Sequence, residues 1–158
     1  MKLKSSIARF LINLYPPMIF NGVRVIHVAE DYTALKLRIR RTFLTRNHSG
    51  SIFGGSLFSA VDPFYALMFW QIFQQKGIDC STWLKSAEIK YLRPANKKLY
   101  ATLVINEEEK KQALLTIKSK ERFDAHFTIY LVDKEGFKYV EIKQLITLKI
   151  KNKKSGFQ

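Results

Sequence analysis

Hydrophobic and polar positions follow two periods along this chain. Leu35-Lys36-Leu37-Arg38-Ile39-Arg40 alternates residue by residue, the mark of a strand with one face in a core. Its basic face reads as a solvated sheet surface, with an anion-binding groove as the alternative. The same period recurs from Thr82 to Leu92, through Leu99, Ala101, Leu103 and Ile105, from Arg122 to Val132 and from Phe137 to Ile150. Val23, Val25 and Val28 indicate an earlier strand, closed by a Glu30-Asp31 turn. Asp133-Lys134-Glu135-Gly136 joins the last two strands. A helical period opens the chain, with Ile7, Phe10, Leu11 and Leu14 at i, i+3, i+4 and i+7. It predicts an amphipathic helix that packs on the domain and that Pro16-Pro17 end in an extended turn. A signal peptide is the rival reading, but Arg9 and Asn13 interrupt its apolar centre and no small-residue cleavage site follows. Weak membrane-surface contact through Lys2, Lys4 and Arg9 is a further use of the same segment.

Between these groups of strands lies NHSGSIFGGSLFSAVDPFYALMFWQIF, residues 47–73. A polar, glycine-containing turn leads into a run that is apolar on nearly every side from Ser56 onward, so a helix here is buried all round. The run is shorter than about 20 residues and contains Asp62 and Pro63, which argues against a membrane span. Pro63 removes one helical hydrogen bond and should kink the helix. Gln74, Gln75, Lys76 and Gly77 end it. Asn106 is placed to cap a short helix beginning Glu107-Glu108-Glu109, anchored by Leu114, Leu115 and Ile117. Strands around one apolar helix predict an α+β domain, an antiparallel sheet wrapped on that helix. The expected division is an N-terminal helix over 1–19, the domain over 20–150 and a basic, solvated tail over 151–158.

A length of 158 residues with 47% hydrophobic content fits one globular domain and excludes a disordered chain. A single cysteine, Cys80, rules out an internal disulfide framework and suggests a reducing, cytoplasmic setting. His27, His48 and His126 are too scattered for a zinc pattern, so no metal or other cofactor is expected. The formal charge of +14 favours an anionic partner: coenzyme A, an acidic carrier, a membrane surface or nucleic acid. Nucleic acid fits least, because aromatic residues do not interleave with the lysines in a stacking motif.

Asp62 is the candidate centre of chemistry. A carboxylate on a buried helix needs a partner, a raised pKa or a task. Period two places Trp83, Lys85, Ala87, Ile89 and Tyr91 on one face, where Lys85 either snorkels to the edge or pairs with a buried acid, Asp62 being the natural candidate; Lys85 is also a candidate substrate-binding residue, and Glu88 is a second candidate acid. Gly54 and Gly55 lack a Cβ, so the backbone can approach another group closely. The N–H groups of Gly55 or Ser56 at a helix start could form an oxyanion hole.

Asn47, Gly54-Gly55 and an acid eight residues after the first glycine together resemble the active-site segment of hotdog-fold acyl-CoA thioesterases of the phenylacetyl-CoA type. Phe53 stands where those enzymes have His. Phe53-Gly54-Gly55-Ser56-Leu57, Asp62-Pro63-Phe64-Tyr65 and the stretch from Trp83 to Pro94 are more similar still to an uncharacterised hotdog family. The resemblance covers roughly residues 16–148. It implies a hotdog fold, assembled as a homodimer or a dimer of dimers, and hydrolysis of an acyl-CoA thioester. Asp62 would be general base or nucleophile, facing the glycines of the partner subunit. Asn47 would orient water or carbonyl, with the thioester near Gly54. Phe53, Phe64 and Tyr65 would line the acyl tunnel, and basic side chains would hold the coenzyme A phosphates. The alternative is a non-catalytic acyl-binding hotdog protein; a hydratase or dehydratase fits less well, because no His–acid pair is evident around Asp62.

Overall fold

The computed structural model describes residues 3–151. The expected tail therefore lies outside the described residues apart from Lys151, as does Lys2. The elements run α1 (Ser5–Leu14), α2 (Pro16–Phe20), β1 (Val23–Val28), β2 (Ala34–Ile39), α3 (Gly54–Ser59), α4 (Phe64–Gln75), β3 (Cys80–Tyr91), β4 (Leu99–Val104), α5 (Glu107–Lys120), β5 (Arg122–Val132) and β6 (Lys138–Ile150). Six antiparallel strands form one sheet in the order β1-β2-β4-β5-β6-β3. One face of that sheet curls around α4.

The alternating positions explain the burial. Leu35, Leu37 and Ile39 of β2 and Leu99, Ala101 and Leu103 of β4 are buried, with charged or polar neighbours outside. They meet Phe64, Met68, Phe69, Ile72 and Phe73 of α4, all essentially inaccessible. Phe69 also lies against the rings of Phe123 and Phe127 in β5. The helical run is divided as Pro63 requires: α3 ends at Ser59, residues 60–63 turn, and α4 begins at Phe64. Among the described residues no helix is long and apolar enough to cross a membrane.

Two local expectations need correction. Pro16-Pro17 do end α1, but Pro16 then opens the short helix α2, a position where its missing N–H costs nothing. The helix capped by Asn106 extends to Lys120, with a full capping box between Asn106 and Glu109. Ala113 and Ile117 anchor it; Leu115 is exposed, because it lies on the far side of the helix from them.

The two edges of the sheet are treated differently. At β1, α1 covers the edge with polar groups. The Asn13 side chain donates to Val25 O at 3.0 Å and accepts from Val25 N–H at 2.8 Å, while Arg9 Nη1 donates to Ile26 O at 3.0 Å. Exposed strand edges carry unpaired backbone groups, and these two side chains satisfy them one helical turn apart. The helix thus docks through Ala8 and Ile12 together with Arg9 and Asn13, and the stripe of Ile7, Phe10, Leu11 and Leu14, expected to pack on the domain, is left exposed. At the other edge, β3 is twelve residues long and terminal in the sheet.

The turn before β1 has a strict residue requirement. Gly22 has φ +68°, and a Cβ there would lie 2.8 Å from Arg40 O and 3.0 Å from Thr45 Cγ2. Gly22→Ala is expected to destabilise the protein by about 2 kcal/mol, from the left-handed backbone and the clash with main chain. The midpoint of urea unfolding checks this.

Candidate active site

The loop ahead of α3 is held by its own hydrogen bonds. Buried Thr45 donates from Oγ1 to Arg40 O at 3.0 Å, and Phe53 N–H donates to Thr45 O at 2.7 Å. Ile52 N–H reaches Ala95 O at 2.8 Å. Asn47 organises the turn: its Oδ1 accepts from Ser49 N–H and Ser51 N–H, both at 3.0 Å, and its Nδ2 donates to Ser51 Oγ at 2.9 Å. The amide is thus occupied mainly by its own loop.

This scaffold presents Gly54 and Gly55 at the start of α3. The first bond into the helix is Leu57 N–H to Phe53 O at 3.2 Å, so the N–H groups of Gly54, Gly55 and Ser56 precede the ladder. With only six residues, α3 contributes little dipole, and the donors themselves are the resource. The Ser56 side chain is buried and committed elsewhere, its Oγ donating to Asn21 Oδ1 at 2.7 Å. That bond ties α3 to the end of α2. The Phe53 ring is 58% exposed and lies across Gly55, where a Cβ would strike it.

Tyr91 is a site residue that pattern reading passed over. Its hydroxyl donates to Gly54 O at 3.1 Å, and a Cβ on Gly54 would lie 2.8 Å from that oxygen. Burial raises its pKa, keeping it a donor at neutral pH. Tyr91→Phe is expected to lower stability by less than about 1 kcal/mol, since the bond is exposed. A small fall in Tm, with the circular dichroism spectrum unchanged, is the check.

Asp62 sits in the turn between α3 and α4, partly exposed, in a hollow with Pro63, Ala66, Trp70, Trp83 and Leu84. Its partly apolar surroundings raise its pKa by desolvation. Among the described residues no side chain bonds or pairs with its carboxylate. The turn is braced from β6: buried Gln144 donates from Nε2 to Val61 O at 3.4 Å. Gln144 was legible in principle, as the one polar residue on a face of Val140, Ile142, Ile146 and Leu148.

Lys85 does not pair with Asp62. β3 carries a bulge between Leu84 and Ser86, which inserts Lys85 as an extra residue and breaks the period-two face. Leu84, Ala87, Ile89 and Tyr91 register with Ile146, Gln144, Ile142 and Val140, on the helix side. Trp83 registers with Thr147, on the opposite side. Lys85 bonds Asp124 Oδ2 at 3.1 Å. Asp124 also takes Arg122 Nε at 3.2 Å and the Thr147 hydroxyl at 2.8 Å. Arg122 first, then Thr147 and Lys85, pull the Asp124 pKa down to about 2. Glu88 lies on the outer face, 3.4 Å from Lys90, and is not near Asp62.

Phe64 and Tyr65 are core residues in this chain. Phe64 is inaccessible, and Tyr65 stacks on Phe127 at 3.8 Å while its hydroxyl donates to Val104 O at 3.3 Å. Burial pushes the Tyr65 pKa up to about 12. Cys80 is likewise buried, its thiol pushed up to about 11 by burial and by Asp79, which suits an inert side chain rather than a nucleophile.

The candidate groups therefore face one feature. Gly55, Phe58, Leu84, Lys85, Ala87, Ile89 and Tyr91 are among the residues that line a hollow of about 450 Å³. The hollow beside Asp62, about 320 Å³, shares Leu84 with it. Both open along the unpaired β3 edge. Asn47 lies in a third depression with Phe43, Arg46 and His48.

A family described as "Domain of unknown function (DUF4442)" matches residues 4–148. The chain belongs to that family. No curated protein matches it. A Pseudomonas aeruginosa protein, PA5026, described as of unknown function and a "Probable Thioesterase", superposes with TM-score 0.84 at 20% identity, over 96% of this chain and 99% of that one. The thioesterase HI1161 of Haemophilus influenzae gives 0.72 at 11% identity, over 99% and 97%. The Escherichia coli PaaI protein of the phenylacetic acid degradation operon gives 0.62 at 16% identity, over 94% and 91%. The fold of this DUF4442 chain is the hotdog, as its motifs imply, with the central helix bent at the Asp62-Pro63 turn.

Proposed function

We propose that this protein hydrolyses acyl thioesters, coenzyme A esters among them, at sites formed by two copies of the chain. The observation that carries the reading is that the hollow beside Asp62 and the hollow beside Gly55 share Leu84 of the edge strand β3. Within one chain Asp62 and Gly55 are separated by the rest of α3 and the turn over residues 60–63. Pairing of β3 with β3 of a second copy about a two-fold axis sets Asp62 of one chain opposite the glycine turn of the other, and closes the exposed edge as well. A dimer of dimers is compatible with the same arrangement.

In this reading Asp62 takes a proton from water, and the resulting hydroxide attacks the thioester carbonyl. Charge on the carbonyl oxygen is met by Gly55 or Ser56 N–H. The C–S bond then breaks, and the thiolate leaves with the proton held by Asp62. Direct attack by the carboxylate is the variant of the same scheme. Tyr91 holds the glycine turn, Asn47 holds the loop before it, and Phe53 offers an apolar surface to the acyl group beside Gly54. Phe64 and Tyr65 shape the space from behind rather than lining it. The net charge of +14 suits the phosphates of coenzyme A, and Arg46 stands beside Asn47.

Three proteins of similar structure support this reading: PA5026 is described as a probable thioesterase, HI1161 as a thioesterase, and PaaI comes from a phenylacetic acid degradation operon. Phe53 in place of His favours a second one, in which the site binds acyl groups without turnover. Thiol release from a panel of short, long and aromatic acyl-CoAs separates them. Hydrolysis of one class establishes the activity and its substrate; binding without thiol release by folded protein rejects hydrolysis in favour of acyl binding.

A further inference from the structure

The apolar stripe of the N-terminal helix has no cover. Because α1 uses Arg9 and Asn13 to satisfy the β1 edge, Ile7, Phe10, Leu11 and Leu14 are left 47–62% exposed, with Phe10 and Leu14 on the rim of the cleft beside the sheet. Tyr15, Ile19 and Phe20 of the following turn and α2 extend the same surface, each more than half exposed. Large side chains grouped in this way mark an interaction surface rather than scattered exposure.

The surface adjoins a cleft of about 830 Å³ between α1 and the outer face of β1 and β2. Arg9, Arg24, Arg38 and Arg40 line it, and its lining holds no carboxylate. The Arg38 Nε is buried without an acceptor among the described residues, and a buried donor of this kind is costly unless something meets it. No Asp or Glu precedes Glu30 in the sequence, so nothing on α1 or α2 offsets these cations.

We propose that this face docks on an anionic lipid bilayer, with the apolar residues of α1 and α2 in the interface and the arginine cleft on lipid phosphates. Charge selects this occupant. A second copy meeting the same patch about a two-fold axis sets arginines against arginines, whereas an anionic surface attracts all four. An interfacial helix combines such an apolar stripe with flanking cations. The inference does not rest on thioesterase activity.

The test is sedimentation of the full chain with vesicles of phosphatidylcholine, with and without phosphatidylglycerol. Binding should need the anionic lipid and weaken with salt. Arg24→Gln with Arg40→Gln, both exposed positions, should lower partitioning roughly thirtyfold. Phe10→Ser with Leu14→Ser should release the protein from vesicles without changing its mass in light scattering. A Phe10→Trp variant should shift its emission to the blue on vesicles and be quenched by brominated acyl chains. Absence of vesicle binding, or equal binding to neutral vesicles, overturns the proposal. A loss of oligomeric mass in the serine variant also overturns it, and makes the face an interface between copies.

Discussion

Asp62→Asn is expected to lower kcat for thioester hydrolysis by about 10²–10⁴-fold, the range for removal of a general acid–base group. Fold and oligomeric mass should not change. The side chain is partly exposed and bonds no other side chain among the described residues, so the amide replaces a carboxylate without breaking a network. Its raised pKa gives a second signature. Water activation needs the carboxylate, so turnover in the parent protein should rise with pH through a value above the ordinary 3.8. The stability effect has the opposite sense. A carboxyl whose folded pKa is raised binds protons more tightly in the folded state, so its contribution worsens as pH rises from the unfolded value through the folded one. Asp62→Asn should therefore be more stable than the parent at neutral pH, and the gap should close below about pH 3.8. Thermal unfolding across pH checks the stability, and thiol release checks the rate. An active mutant rejects the mechanism, and a mutant equally stable at every pH rejects the assigned burial cost.

Leu84→Lys combined with Ile89→Lys is expected to give a folded monomer with no measurable turnover, although Asp62 and Gly55 are both intact. Both residues are only partly buried in the single chain, which limits the cost to the monomer. In a β3–β3 pairing they come to lie near their counterparts, and like charges facing each other across a strand pair destabilise it. Light scattering should fall from twice the chain mass of 18.4 kDa to that mass. A dimeric but inactive double mutant assigns the loss to the hollow beside Gly55; a monomeric and active one removes the shared site.

The Asp124 cluster shows where pattern reading meets its limit. Period two points Lys85 at Asp62 only if the ladder is unbroken; the bulge adds one residue and exchanges the faces beyond it, so Lys85 meets Asp124 instead. The register with β6 decides this, and β6 lies more than fifty residues away in sequence. The Tyr91–Gly54 bond joins residues 37 apart in the chain, a separation no local period can bridge. The period of α1 marks a helix without saying which face docks; the unpaired backbone of β1 selects the side with Arg9 and Asn13, which can bond it where leucines cannot.

Local pattern was enough for the order of the strands, the first and central helices, the break at Pro63, the Asn106 cap and the single carboxylate beside the central helix. Each depends on neighbours within a few residues: an alternation, a missing N–H, a side chain bonding the turn next to it. Only the tertiary structure decided which sheet edge is covered and which is open, which cation serves which acid, and that the Asp62 turn is braced by Gln144. Those outcomes come from register and from the need to satisfy backbone and buried polar groups between segments far apart in the chain, which no local pattern encodes.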